Sequence, residues 1–236
     1  PTYYALDSSA LISKLDSDFT VAVSDELSQE QLEELGWFLQ MQGFSPQGRL
    51  FRRPSQGVIH LVEARLLRDA PPEAPRFTLE FGVCFPSLLA ALARMQAFSH
   101  LARHVDKPNI QSCALRRSAA DLQGPSRMLD WPLDPGADHA VVLTLLEQQA
   151  LPWLEQASSL SALAGGQHLD DGLASRLMQA LACLQLGWDN RALETCLNHA
   201  DGRYPADLAA ARQWAAELYN QLACALQPRP DGLLTP

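Results

Sequence analysis

The sequence predicts an α+β protein, with helices packed on one face of an antiparallel sheet of three or four strands and a C-terminal group of helices after it. A helix signal comes first, at residues 28–43. Three strand patterns follow between residues 49 and 85, and helical periodicity then runs from residue 141 to residue 226. This order of helix, three strands and further helices favours an antiparallel meander.

The first helix is predicted from its ends and its apolar stripe. Ser28 and Gln31 have the spacing of a capping box, and Gly43 is placed to end the helix. Leu32, Leu35 and Leu39 recur at helical spacing between these two signals, so we expect them to face the core.

Three strands are predicted at residues 49–53, 57–66 and 76–85, after a turn at residues 43–48. The third alternates strictly and should therefore have one apolar face, which nearby helices would cover. Its predicted inward residues are Phe77, Leu79, Phe81, Val83 and Phe85, and its outward residues are Arg76, Thr78, Glu80, Gly82 and Cys84.

The rest of the chain is predicted to be mostly helical. A helix at 88–104 should precede a fourth strand at 112–117 and a loop at 123–137. A helix at 141–160 is expected to be interrupted at Pro152, and Gly165 and Gly166 should mark a break. Three helices are then predicted, at 172–186, 190–199 and 206–226.

Composition and length are those of a globular protein. The chain has 236 residues, of which 47% are hydrophobic and 19% charged. We expect an α+β domain at residues 1–166, with an N-terminal extension at 1–27, and a helical subdomain at 167–236 packed on it.

Charge and targeting signals restrict the partners. Lys and Arg total 18 against 27 Asp and Glu, so a net charge of −9 disfavours nucleic-acid binding. No apolar run is long enough to span a membrane, and the start lacks a secretory signal, so we expect a cytoplasmic protein without membrane association. The five cysteines form no CxxC pair and are expected to be reduced and buried.

The sequence contains no nucleotide-binding, metalloprotease, serine-hydrolase or calcium-loop motif, so we predict no cofactor, no metal and no catalytic residue. His100 and His104 have metal-ligand spacing with Asp106 nearby, but two polar residues on a solvated helix end explain them better. Cys84 and Glu80 share a strand face, and packing is the preferred role for Cys84. Six arginines could form an anion-binding patch, although pairing with Glu63 and Glu80 is preferred; these are Arg49, Arg52, Arg53, Arg65, Arg68 and Arg76.

One face of the first helix has the composition of a protein interface. A Trp and a Met lie among acids, opposite the leucine stripe, and exposed aromatic anchors of this kind are typical of binding hot spots. The acids would suit a basic partner. The alternative is that Trp37 packs under the N-terminal extension or the C-terminal helices. The predicted partner-binding residues are Glu30, Glu33, Glu34, Trp37 and Met41.

The order of several short motifs resembles the bacterial domain of unknown function 4304 family over roughly residues 27–163. The resemblance implies an α+β fold and assigns no active site to any position. The motifs are a helix from Leu35, Gly43–Phe44, 48–52 (GRLFR), 58–62 (VIHLV), 77–86 (FTLEFGVCFP), 113–117 (CALRR), 130–132 (DWP) and 150–154 (ALPWL).

The leading hypothesis is a non-enzymatic cytoplasmic binding protein, specifically an immunity protein that binds and neutralises a bacterial toxin. One alternative is a small metal- or Cys-dependent enzyme with its site between the sheet and the helices. Another is a peptide-binding scaffold that presents the C-terminal helical hairpin, with Trp188, to a peptide. Residues 181–194 resemble one tetratricopeptide helix-turn-helix, but no period of ~34 residues is visible, so an ordinary α-hairpin is the preferred interpretation. The sequence does not define the oligomeric state.

Overall fold

A computed structural model describes residues 32–67, 70, 75–123, 130–133, 140–167, 169, 172–203 and 208–227. The predicted capping box at Ser28 and Gln31 and the predicted binding residue Glu30 lie outside the described residues, as does Arg68. The predicted α+β fold is confirmed: the described residues contain an antiparallel sheet with helices and a C-terminal helical group.

Within the described ranges the sheet has six strands rather than the three or four predicted. Strands β1 to β5 lie in chain order and are all antiparallel, and β6 pairs with β4. The predicted turn at 43–48 contains β1, and the predicted loop at 123–137 contains β6. The strands are β1 (Ser45–Gln47), β2 (Leu50–Ser55), β3 (Val58–Leu66), β4 (Arg76–Cys84), β5 (Leu115–Ser118) and β6 (Trp131–Pro132).

Strand β4 is buried on one face along its whole length and on the other face near its end. Phe77, Leu79, Phe81 and Val83 are fully buried, as the alternation predicts. Gly82 and Cys84, which were predicted to face outward, are also buried. The reason is that the turn around Ile110–Ser112 and the following Cys113 pack against Gly82: a Cβ there would lie 2.6 Å from Cys113 Sγ. The 3₁₀ turn and Cys113 therefore pack on the face of β4 that was predicted to point outward.

The predicted helix at 88–104 is divided into three pieces. Helix α2 (Pro86–Ala93) ends before Met95, whose backbone is extended, and a 3₁₀ segment (Gln96–Ala102) and the short α3 (Arg103–Asp106) follow. Arg94 lies at the break, and its Nη1 donates hydrogen bonds to the carbonyl oxygens of Ala225 and Gln227. The break thus places a cation at the end of the last helix, where carbonyl groups lack intrahelical partners.

The predicted interruption of the helix at Pro152 is wrong. Helix α5 (Ala140–Leu145) continues through a π turn (Leu146–Ala150) into α6 (Leu151–Gln156), and Pro152 lies in the first turn of α6. A proline ring clashes with the carbonyl four residues earlier in a regular α-helix, and π turns commonly accommodate such local disruptions. Helix α4 (Ala119–Gln123) lies between β5 and β6.

The C-terminal helices pack on one another and on α2. Helix α7 (Leu160–Gly165) ends at Gly166, whose φ of +71° confirms the predicted break. Helix α8 (Leu173–Gln185) contacts α2, α7 and both later helices, α9 (Asp189–Arg203) and α10 (Leu208–Leu226). Because α2 follows β4 directly, this group is connected to the central strand. The division of the chain after residue 166 stays a prediction.

We expect Gly82→Ala to lower the free energy of unfolding by about 1–3 kcal/mol, because the added methyl group overlaps Cys113 and Ile110. Gly36→Ala is the matched control: its Cβ would lie 3.7 Å from the Phe51 ring, an ordinary contact, inside a helix where alanine is better by up to ~1 kcal/mol. Urea unfolding measures both. Equal effects of the two variants would contradict this account of Gly82.

Candidate functional site

The candidate interface lies on helix α1 (Glu33–Met41), whose inner face packs on the sheet. Leu35 and Leu39 are buried, and Gly36 lies close to the ring of Phe51 on β2. The helix ends at Gly43, whose φ is +83°, and the amide of Phe44 donates to the carbonyl of Leu39. This ending is a Schellman motif, so glycine is the favoured residue at position 43.

The outer face of α1 carries four described residues of the predicted interface, and we call Glu33, Glu34, Trp37 and Met41 the acidic aromatic face. The side chains of Trp37 and Met41 are 65% and 68% exposed. Trp37 is therefore not buried under the described C-terminal helices. The other part of the alternative, packing under the N-terminal extension, lies outside the described residues. Both acids lie in the first turn, where the helix dipole favours negative charge.

A third exposed apolar residue lies on a neighbouring helix. Val141 on α5 is 58% exposed, and α5 contacts α1. Among the described residues, two other large apolar side chains are exposed, Trp188 and Leu193, and both lie at the start of α9. The exposed apolar residues thus occur in two regions, of which α1 with α5 is the more exposed.

The preferred interpretation of the histidine pair, two polar residues on a solvated helix end, is correct for His100 and wrong for His104. His100 is exposed, whereas His104 is buried and its Nε2 accepts a hydrogen bond of 3.1 Å from Arg103 Nε. Burial, followed by the charge of Arg103, lowers the pKa of His104. Within the described ranges, no three His, Cys, Asp or Glu side chains are grouped as metal ligands would be.

Cys84 lacks the properties of a nucleophile. The residue is fully buried, and burial raises the pKa of its thiol to about 12. A thiolate is the nucleophilic form of cysteine, so a thiol with this pKa is inert near neutral pH. Glu80 pairs with Arg65 instead. The prediction that the cysteines are buried is correct for four and wrong for Cys224, which is exposed.

The arginines of the sheet do not form a shared anion-binding patch. Arg65 pairs with Glu80, as preferred from the sequence, and Arg76 pairs with Asp130 at 2.7 Å. Burial and the neighbouring Glu80 raise the pKa of Glu63, which faces Glu80 across strands β3 and β4. The charges on this part of the sheet therefore largely satisfy one another.

The sequence did not predict a partly buried polar network centred on Arg53 and His60. These two residues are paired across β2 and β3, and Arg53 Nη2 lies 2.9 Å from His60 Nδ1. Arg53 also pairs with Glu155 on α6, and its guanidinium lies 4.8 Å from the centre of the Phe44 ring. The sequence signal was His60, a polar residue at a position of β3 where the alternation places buried apolar residues.

The hydrogen bonds fix the protonation of His60. Arg53 can only donate, so Nδ1 must accept, and Nε2 then carries the proton. Nε2 donates to Ser158 Oγ at 2.6 Å, and that hydroxyl donates to the carbonyl of Leu154. In a serine hydrolase the imidazole instead accepts the serine proton, with a carboxylate on its other nitrogen. This pair has the opposite polarity and cannot activate Ser158.

None of three comparisons found a match: no family model, no curated protein and no solved structure is similar to the chain. The resemblance to the domain of unknown function 4304 family therefore stays a prediction based on motif order. In the part of the chain that the structure describes, no helix combines the length and apolarity needed to cross a bilayer.

We expect an aromatic disulfide reagent to label one thiol promptly in the folded protein, at Cys224, and the other four only after unfolding. The increase in absorbance of the released thiolate measures this. The control is Cys224→Ser, which should show no prompt reaction. Prompt labelling of Cys84 would contradict its buried, inert state and revive a cysteine-dependent mechanism.

Proposed function

We propose that this protein is a non-enzymatic binding protein that recognises a basic protein partner through the acidic aromatic face of α1. The observation that carries the proposal is the exposure of Trp37 and Met41 beside Glu33 and Glu34. We further propose that the partner is a bacterial toxin and that the protein is its cytoplasmic immunity protein. The net charge of −9 supports a partner of opposite charge.

The energetics of such a face favour association. Trp37 and Met41 are one turn apart on the helix, so a partner can cover both in one pocket. Removing apolar surface from water contributes about 25 cal/mol per Å², and tryptophan is enriched among residues that dominate binding energy. The flanking carboxylates would lie at the rim, where charges mainly accelerate association and select the partner.

The two alternatives draw on fewer observations. The hypothesis of a metal- or Cys-dependent enzyme depends on His100, His104 and Cys84. His104 and Cys84 are buried, and the described residues contain no group of three metal-ligating side chains. A peptide-binding scaffold is favoured by one specific observation: Trp188 and Leu193 are 39% and 41% exposed on the C-terminal hairpin. The guanidinium of Arg191 lies 5.7 Å from the Trp188 ring, so one face of that tryptophan is already occupied.

Co-expression with the product of the neighbouring gene tests the proposal. We expect the two proteins to purify together, and growth to be restored where that product is toxic. Trp37→Ala should weaken the complex by about 30-fold or more, because a central tryptophan typically contributes at least ~2 kcal/mol. Trp188→Ala is the matched control and should leave affinity unchanged.

Three outcomes would contradict the proposal. Absence of a complex and of growth rescue would count against a toxin partner. A complex that is weakened by Trp188→Ala and not by Trp37→Ala would favour the helical scaffold. A stoichiometric metal that is lost in His104→Ala would favour the enzyme.

The contribution of the two acids to association can be tested on the same complex by varying the salt concentration. We expect Glu33→Gln with Glu34→Gln to reduce the association rate at low ionic strength, with the difference shrinking at high salt, because screening weakens interactions between exposed charges. Glu147→Gln with Glu217→Gln removes two exposed acids, on the π turn and on α10, and is the control for an equal change in net charge. An equal reduction in both variants would show that overall charge, rather than this face, guides the partner.

A further inference from the structure

Arg53 on β2 connects the C-terminal end of α1 to α6. Its Nη1 donates to the carbonyl of Gln42, the residue that ends α1, at 3.2 Å. Its guanidinium also lies over the ring of Phe44, which contributes the last hydrogen bond of the α1 Schellman motif. Its Nη2 is directed to Glu155 on α6 and to His60 on β3.

His60 meets charged groups from two elements. Arg53 faces it from β2 and Glu155 from α6, while the neutral hydroxyl of Ser158 occupies its other nitrogen. Its partner across β4 is Val83, which has no charge. Burial, followed by the charge of Arg53, lowers the pKa of His60 to about 4, and Glu155 opposes this change only in part. The imidazole is therefore neutral near pH 7.

A proton on Nδ1 would place two donors, one on a charged imidazole and one on a charged guanidinium, 2.9 Å apart. Neither group can accept a hydrogen bond in that state, so Arg53 has to turn away from His60. The same rigid guanidinium contacts Gln42 and Phe44, so moving it away from His60 disturbs both contacts.

We infer that the contacts of Arg53 hold the C-terminal end of α1 in place, and we call these contacts the latch. Protonation of His60 in acid displaces Arg53 and so opens the latch. Opening loosens residues 42–44 and the last turn of the helix that presents Met41. The latch stands on the intramolecular contacts alone, whereas its effect on a partner rests on the function proposed above.

Linkage gives the size of the effect. The pKa of His60 is about 4 in the closed state, and it rises toward the ordinary 6.5 in the opened state because the charge of Arg53 is withdrawn while burial remains. Because the opened state binds the proton more tightly, its population rises as the pH falls through this window. The ratio of opened to closed molecules should increase by up to roughly 25-fold between pH 7 and pH 5, and change little above pH 7.

Amide hydrogen exchange of the purified protein alone tests the latch without any partner. The probes are the amides of Gly43 and Phe44, which donate to Gln40 and Leu39, and amides of β3 and β4 are the reference. After correction for intrinsic exchange rates, we expect protection of the two probes to fall from pH 7 to pH 5 relative to the reference, by up to roughly 25-fold. Unchanged protection, or an equal fall in the sheet, would overturn the inference.

Two variants identify the titrating group. His60→Asn keeps an acceptor for Arg53 and cannot be charged, so the pH dependence should disappear. Glu155→Gln removes the opposing carboxylate, so the dependence should remain and move to lower pH. If the pH dependence of protection persists in His60→Asn, or disappears only in Glu155→Gln, His60 is not the group responsible and the inference is overturned. If His60→Asn does not fold, ¹⁵N shifts of the wild-type imidazole decide: titration of His60 must follow the loss of protection.

Discussion

The packing of β4 is the constraint on which the other elements depend. This strand pairs with β3, β5 and β6, and its inward phenylalanines and leucine form the centre of the core. Gly82 admits Cys113 and Ile110 on the opposite side, so the chain covers part of that face without a helix. Helix α2 begins directly after β4 and supports the C-terminal helices through α8. The position of each layer therefore follows from one nine-residue strand.

The inner face of the sheet is apolar over β4 and polar where α1 and α6 approach β2. Burying Arg53 and His60 is tolerable because their charged and polar atoms find partners, although Arg53 Nε is buried without a hydrogen bond among the described residues. Such a network fixes the relative position of the elements that supply its members. It joins α1 to α6 through directional contacts, whereas the leucines of α1 contribute contacts without direction.

Local signals explain what the sequence predicted correctly. The alternation of β4 and the turn at Gly166 depend on neighbouring residues only, and so does the outward position of Trp37 opposite a leucine stripe. The features that it missed depend on distant contacts. Strand β1 contains a proline and exists through pairing with β2, and Arg53 meets Glu155, which is 102 positions later. Burial of Gly82 likewise requires Ile110 and Cys113, which follow β4 in the chain.

The π turn before Pro152 makes α6 sensitive to the length of the segment before it. A π turn holds one residue more than the α-helical turn that it replaces, so it behaves as a single-residue insertion. Deleting a residue from 146–150 would restore a regular helix and rotate every later side chain of α6 by about 100°. Glu155 would then leave Arg53, and the ring of Trp153 would leave Arg117. A change in the length of this segment therefore breaks contacts that substitutions at its exposed positions leave in place.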